Sequence, residues 1–349
     1  MLQCPFRSNW FFLLLESLMK KFLIRLPLVS ALIATATIFV PVLHAETYTS
    51  AAQAGPIFQL QGEYLGVIDA WGGTWGAQIV ATSETSVSVH LHDGGLPGQG
   101  FDKREPSKVF ETKFDKGTDQ VELKKEDVAL MIKPDALTVS DAKGKKLGVL
   151  TKVLRESKTL GSRPEADGKM LFEVGGANDF EGGKLADDGL LGVGGTTKEL
   201  FDDHHLHIEF RTPFQPSDSG QGRGNSGVYV QGRYELQVLD SFGLRGEDNE
   251  CGGIYQISKP KLNMCYPPLS WQTYDIDFTA AKYDASGKKT SNARITIRHN
   301  GITIHEDLEL PRHTPGKDQE ANKPGPLYFQ DHGNPVAYRN VWVIANKGK

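Results

Sequence analysis

Strict alternation of apolar and polar side chains recurs along this chain. More than any other feature, it restricts the chain to β-strands with one face buried. In His205-Leu206-His207-Ile208-Glu209-Phe210-Arg211, Leu206, Ile208 and Phe210 face one way and His205, His207, Glu209 and Arg211 the other. Tyr234-Glu235-Leu236-Gln237-Val238, Thr273-Tyr274-Asp275-Ile276-Asp277-Phe278 and Ala293-Arg294-Ile295-Thr296-Ile297-Arg298 repeat the pattern. Shorter runs fill residues 46–155: Phe58-Gln59-Leu60-Gln61, Ala77-Gln78-Ile79-Val80, Val87-Ser88-Val89-His90-Leu91, Val128-Ala129-Leu130-Met131-Ile132 and Leu147-Gly148-Val149-Leu150. Turns rich in Gly, Asp and Lys separate them, and Asn300-Gly301 is suited to a tight hairpin. No segment carries a helical period. The expected fold is all-β: two packed antiparallel sheets of jelly-roll type, preceded by a small β domain.

The first 45 residues are expected to be a targeting segment rather than part of the fold. Met19-Lys20-Lys21 and Arg25 precede an apolar stretch from Leu26 to Val42, and Leu43-His44-Ala45 offers a cleavage site, with Met19 a candidate true start. The pattern predicts export to the periplasm or the exterior. Residues 46–155 form the small β domain, the polar stretch 156–169 an interdomain linker and 170–349 the jelly roll. In an oxidising compartment, Cys251 and Cys265 are expected to form a structural disulfide, since neither has zinc-like spacing to a His or another Cys. A formal net charge of -4 gives no reason to expect nucleic acid as a partner.

Chemistry is expected on the outward positions of the later strands. Glu209, Arg211, Asn225, Arg233, Glu235 and Gln237 would form one polar patch if their strands are adjacent, although a solvated face with cross-strand pairs gives the same pattern. Gln330-Asp331-His332-Gly333-Asn334-Pro335 and Gly222-Arg223-Gly224-Asn225-Ser226-Gly227 place polar groups on tightly turned backbone at a sheet rim. Gly94-Gly95-Leu96-Pro97-Gly98-Gln99-Gly100 lacks the Lys-Ser/Thr of a phosphate loop and reads as a turn-rich surface loop. No motif requires a cofactor. A divalent metal at Asp187-Asp188 or Asp202-Asp203 stays open, without a specific ligand set.

Seven motifs in order over about 170 residues carry a family resemblance. They are Asn225-Ser226-Gly227-Val228-Tyr229, Tyr234-Glu235-Leu236-Gln237-Val238-Leu239-Asp240, Gly253-Ile254-Tyr255, Trp271-Gln272-Thr273-Tyr274, His299-Asn300-Gly301, Gly325-Pro326-Leu327-Tyr328-Phe329-Gln330-Asp331-His332-Gly333 and Tyr338-Arg339-Asn340-Val341. Together they resemble the bacterial 3-keto-disaccharide hydrolase domain. The resemblance implies a concanavalin A-like jelly roll that acts on glycosides already oxidised at C3. It implies cleavage by β-elimination, with possible hydration of the product, and a separate 3-dehydrogenase that supplies the substrate. Within that frame Glu235 and His332 are the candidate base and acid. Arg211 and Arg339 are candidates to steady an enolate oxygen or position the sugar, and Arg339 has the alternative of a scaffold ion pair with Asp240 or Asp331. Asn225, Gln237 and Gln330 would hold hydroxyls, Tyr255 or Trp271 would stack on the ring, and Glu209 and Asp240 complete the binding set. Gln237 stands where a two-carboxylate glycosidase of this fold would carry a second acid, so only a carboxylate from another strand, such as Glu209, could complete a pair. A carbohydrate-binding module and an envelope or adhesion protein remain the competing functions.

Overall fold

The computed structural model describes residues 46–186 and 188–345, which fall within one compact unit. The predicted targeting segment lies outside the described residues. The chain is all-β apart from short helical turns, and it forms two hydrophobic cores.

The first core belongs to an eight-stranded antiparallel sheet. Gly62–Ile68, Gly73–Ser83, Ser86–Asp93 and Lys108–Lys113 form one meander, and Val121–Lys125, Val128–Ile132, Ala136–Asp141 and Lys146–Val153 form another. The meanders join where Gly62–Ile68 pairs with Lys146–Val153. Ile79, Val87, Val89, Leu91, Leu130 and Val139 all bury on this core, as their alternation requires. One expected strand is not a strand: Phe58–Gln61 falls in and just after the helix Gly55–Leu60. Pro56 presets the backbone of the first helical turn, and Ile57 and Leu60, three apart, bury on the same side.

The second core lies between the sheets of a jelly-roll sandwich. The six-stranded sheet runs Lys169–Phe172, Ala337–Ala345, His204–Arg211, Gln272–Thr279, Ala293–His299, Ile302–Leu310. The five-stranded sheet runs Phe180–Glu181, Thr196–Thr197, Tyr328–Phe329, Ser226–Val230, Tyr234–Val238. Leu206, Ile208 and Phe210 point inward from the first, and Val228, Val230, Leu236 and Val238 from the second. Each such fully buried side chain contributes about 1.5–3 kcal/mol. Asn300 and Gly301, at φ 52° and 79°, make the hairpin turn expected of them.

The two cores are joined by specific contacts. Arg223 pairs with Asp240 at 2.6 Å and donates to the Ala81 carbonyl at 2.8 Å. Arg104 donates to the Gly246 carbonyl and to Glu247. Phe214 belongs to the first core although it follows the strand His204–Arg211. The glycine-rich stretch 94–100 is exposed at Gly94 and at Gly98–Gly100, as a surface loop should be, and folds its middle inward. Leu96 is buried, and Gly98 packs so closely on Met264 that a Cβ there would come within 2.7 Å of its sulfur.

Residues 156–169 lie against the outer face of the six-stranded sheet. Thr159 donates to Asp275, the Gly161 N–H donates to Glu209 at 2.6 Å, and the Ser162 carbonyl accepts from Asn340 and Trp342.

The expected disulfide is absent: Cys251 and Cys265 are buried free thiols. Each already has polar neighbours. The Cys251 sulfur lies 3.1 Å from the Tyr274 hydroxyl, and the Cys265 thiol donates to the Leu239 carbonyl at 3.6 Å.

Candidate functional site

Alternation decides which groups leave the core, and the topology decides where they emerge. Glu209 and Arg211 point outward from the six-stranded sheet, Glu235 and Gln237 outward from the five-stranded one. The single polar patch expected from the sequence is therefore two patches on opposite sides of the sandwich. Strand alternation fixes parity but not sheet membership.

On the six-stranded side Glu209 is enclosed by donors. Arg339 Nε donates to it at 2.7 Å, Asn340 at 2.8 Å and the Gly161 N–H at 2.6 Å. Burial on its own would raise its pKa. The neighbouring His207 ring, together with Asn340, Gly161 and Arg339, outweighs burial and holds the carboxyl at about 2. His207 is fully buried, donates Nδ1–H to Asp275 at 2.6 Å and stacks on Trp342. Arg339 and Arg211 both lie over the Trp271 ring, at 3.9 and 5.0 Å.

On the five-stranded side Glu235 is 3 % exposed and forms no ion pair among the described residues. The hairpin Ser226–Val230 to Tyr234–Val238 sets Tyr229 directly across from it, and the Tyr229 hydroxyl lies 2.7 Å from its carboxylate. Gly227 leaves room for that carboxyl, since a Cβ at Gly227 would stand 2.5 Å from Glu235 Oε1. Burial pushes the Glu235 pKa up and the Tyr229 hydrogen bond pulls it down, with a net position of about 7. Gln330 donates to the Tyr229 hydroxyl at 3.4 Å, and its own N–H is fixed on the Gly227 carbonyl. The Tyr255 N–H donates to the Glu235 carbonyl, and the Lys317 ammonium lies over the Tyr328 ring at 3.8 Å. A carboxyl that is half ionised near neutral pH, beside phenols and an amide, is equipped to take or give a proton.

A family model described as the 3-keto-alpha-glucoside-1,2-lyase-like domain matches residues 167–344. The chain belongs to this family. A candidate glycosyl hydrolase from Parabacteroides distasonis is 28% identical over 52% of this chain and 84% of its own, with a TM-score of 0.48. A second candidate glycosyl hydrolase from that organism is 16% identical over 56% of this chain and 99% of its own, with a TM-score of 0.35. No curated protein matches the chain. Membership of the 3-keto-alpha-glucoside-1,2-lyase-like family makes this a carbohydrate-active protein.

Within the family domain, the structure gathers Glu235, Gln330 and Tyr255 around Tyr229 and separates the rest of the predicted set. Glu209, Arg211, Trp271 and Arg339 are on the far side, so Glu209 does not complete a carboxylate pair with Glu235. The scaffold pair expected for Arg339 with Asp240 or Asp331 is instead with Glu209, and Asp240 is taken by Arg223. Asn225 and Gln237 are buried and bind each other: Gln237 Nε2 donates to Asn225 Oδ1 at 2.8 Å, and Asn225 Nδ2 donates to the Gln221 carbonyl. These bonds tie their amides to the rim loops. Arg233 likewise donates to backbone carbonyls of Gln319 and Lys323. His332 is exposed on the loop that follows Gln330.

A cleft of about 750 Å³ opens beside that loop, lined by Arg211, Asp188, Leu191, Asp331, Asn334 and Val336 among others. Glu235, whose pKa is displaced upward, lies apart from this cleft and is not among its lining residues. The loop joins the two regions, with Gln330 on the Glu235 cluster and Asp331 on the cleft wall.

No group of three potential metal ligands forms among the described residues. Asp203 accepts the Ala280 N–H, and the Asp202 carboxylate accepts from the Gln231 amide at 3.3 Å. Asp187 lies outside the described residues.

Sequence reasoning did not single out Tyr229 or the strap Thr314–Lys317. Counting across the Gln231-Gly232-Arg233 turn would have set Tyr229 opposite Glu235, whereas nothing local ties residue 315 to residue 229.

Proposed function

We propose that the protein cleaves 3-keto-glycosides by β-elimination, with Glu235 as the base. The C3 ketone acidifies the C2 proton, and the Glu235 carboxylate removes it to leave an enolate. The enolate electrons return to form the C1–C2 double bond as the C1–O bond breaks, and water adding across that bond gives net hydrolysis. In this reading Gln330 and Tyr255 border the sugar, and His332, exposed on the loop after Gln330, protonates the departing oxygen. A separate dehydrogenase makes the keto substrate, and the reaction takes place after export.

The observation that supports this reading is the state of Glu235: a buried carboxyl with no ion pair among the described residues, held at about 7. A carboxylate of ordinary acidity would be a weak base toward a C–H bond, whereas one near 7 is matched to neutral pH. The test is incubation with 3-keto-glycosides and their unoxidised parents. Release of the leaving group or of a 2-hydroxyglycal from the keto forms alone, lost in Glu235→Gln, is the expected result. Binding of both forms without turnover would sink the enzyme reading in favour of a carbohydrate-binding module.

A further inference from the structure

The Tyr229 hydroxyl faces two acceptors with one proton. It lies 2.7 Å from Glu235 Oε2 and 2.9 Å from the Pro315 carbonyl oxygen. Pro315 belongs to a strap that crosses the Glu235 cluster. The strap is anchored at both ends on the hairpin, by Thr314 N–H to the Arg233 carbonyl and by Asp318 N–H to the Gly232 carbonyl. Between those anchors the strap meets the cluster through the Pro315–Tyr229 bond and through Lys317 over the Tyr328 ring at 3.8 Å, and the Pro315 contact is the one that shares its proton with Glu235. Gly316, at φ 111°, lies so close that a Cβ would reach within 2.5 Å of the Tyr229 oxygen.

Both short contacts are satisfied together in only one way. A protonated Glu235 donates to the Tyr229 oxygen, and Tyr229 then donates to Pro315. When Glu235 is ionised, the charge-assisted bond wins the single Tyr229 proton, and the Pro315 carbonyl loses its donor. We propose that Tyr229 is a positioning residue that makes the proton on Glu235 and the closure of the Thr314–Lys317 strap a single equilibrium. The strap is fastened over a protonated Glu235 and released over an ionised one.

This rests on the reading of Glu235 as the base, and it gives that base an order of events. The ionised form, which is the one able to accept a proton, is the one whose cover is loose enough to admit a sugar. Removal of the C2 proton breaks the C2–H bond, delivers the proton to Glu235 and leaves the electron pair on the enolate. The same step restores the Tyr229–Pro315 bond and closes the strap over the enolate. Glu235 is faced by Tyr229 and Gly227 from the neighbouring strand, and by Tyr328 and Gln330 beyond it. Tyr255 comes from the following turn, and the buried Tyr338 lies close enough to feel the charge. The strap brings Lys317, flanked by Arg312, His313 and Asp318.

Two measurements on the substrate-free protein test the proposal. The first is a ¹³C-carboxyl NMR titration of Glu235. The Tyr229 hydrogen bond stabilises the ionised form, so Tyr229→Phe should raise the midpoint by roughly one pH unit or more. The second is amide exchange of Gly316 and Lys317, corrected for its intrinsic pH dependence. Exchange should accelerate as pH passes the Glu235 midpoint in the wild type and stay flat in Tyr229→Phe. Glu235→Gln, whose amide can donate to Tyr229 at every pH, should keep the strap slow throughout and gives a reading even if Tyr229→Phe folds poorly. Equal midpoints in wild type and Tyr229→Phe, or pH-independent strap exchange in the wild type, would overturn the coupling. Neither readout needs turnover. Failure to cleave keto-glycosides would therefore count against the function alone, and a flat strap in an active enzyme would count against the coupling alone.

Discussion

Glu209 and Glu235 are both buried carboxyls that point away from the jelly-roll core, and they stand at opposite ends of the carboxylate range, at about 2 and about 7. Burial acts on both in the same direction. What differs is the company. Glu209 has Arg339, Asn340, a backbone N–H and a nearby imidazole, whereas Glu235 has one phenol. A buried carboxyl with cationic and amide donors is a fastening. One left with a single neutral donor stays uncommitted between its two proton states, as proton transfer requires.

The largest effects should separate the two. Glu235→Gln is expected to cut turnover of a 3-keto-glycoside by roughly 10³-fold while leaving the fold intact. Glu209→Gln should cost about 1.5–2 kcal/mol, because it weakens the charge-assisted bonds from Arg339, Asn340 and Gly161, with turnover per folded molecule unchanged. Denaturation midpoints alongside initial rates check both, and a loss of turnover in folded Glu209→Gln would break the comparison.

Next in size is the pH dependence of stability. From the ordinary value of 4.5, Glu209 is displaced downward. Its contribution is complete above about 4.5 and disappears as pH falls toward 2. Glu235 is displaced upward. It favours the folded state fully below about 4.5, and that contribution is lost as pH rises to about 7. Urea midpoints across this range should therefore show less decline from pH 4.5 to 7 in Glu235→Gln than in the wild type. Gly227→Ala should be milder, with a drop of about tenfold in turnover as the new methyl displaces the Glu235 carboxyl by steric contact. Trp271→Phe should be smallest: about 1 kcal/mol of stability from weaker contact with Arg211 and Arg339, and turnover within about threefold. A large loss of turnover there would return chemistry to the six-stranded side.

The alternation of His204–Arg211, Tyr234–Val238 and Gln272–Thr279 made the strands and their inward faces legible from the residues alone. It could not say that the first and second belong to different sheets, because parity along one strand carries no information about its neighbours. Hence Glu209 and Glu235 read as companions and proved to be on opposite faces. The roles of Asn225 and Gln237 were hidden for a related reason: an amide that binds another buried amide has the same sequence signature as one that awaits a sugar. Glu235 itself was legible through the motif around it. Its Pro315 strap was not, because the contact joins residues 86 apart through one phenol.

The stretch 156–169 has a consequence for how this domain could be moved between proteins. The family match begins at residue 167, yet the N–H of Gly161 and the carbonyl of Ser162 are bonded to Glu209, Asn340 and Trp342 within the matched region. A gene fusion or excision made at the match boundary would strip bonded partners from the Glu209 carboxylate, the Asn340 amide and the Trp342 indole. The transferable module is longer than the recognisable one, and a graft should carry at least the dozen residues upstream to arrive with its back wall in place.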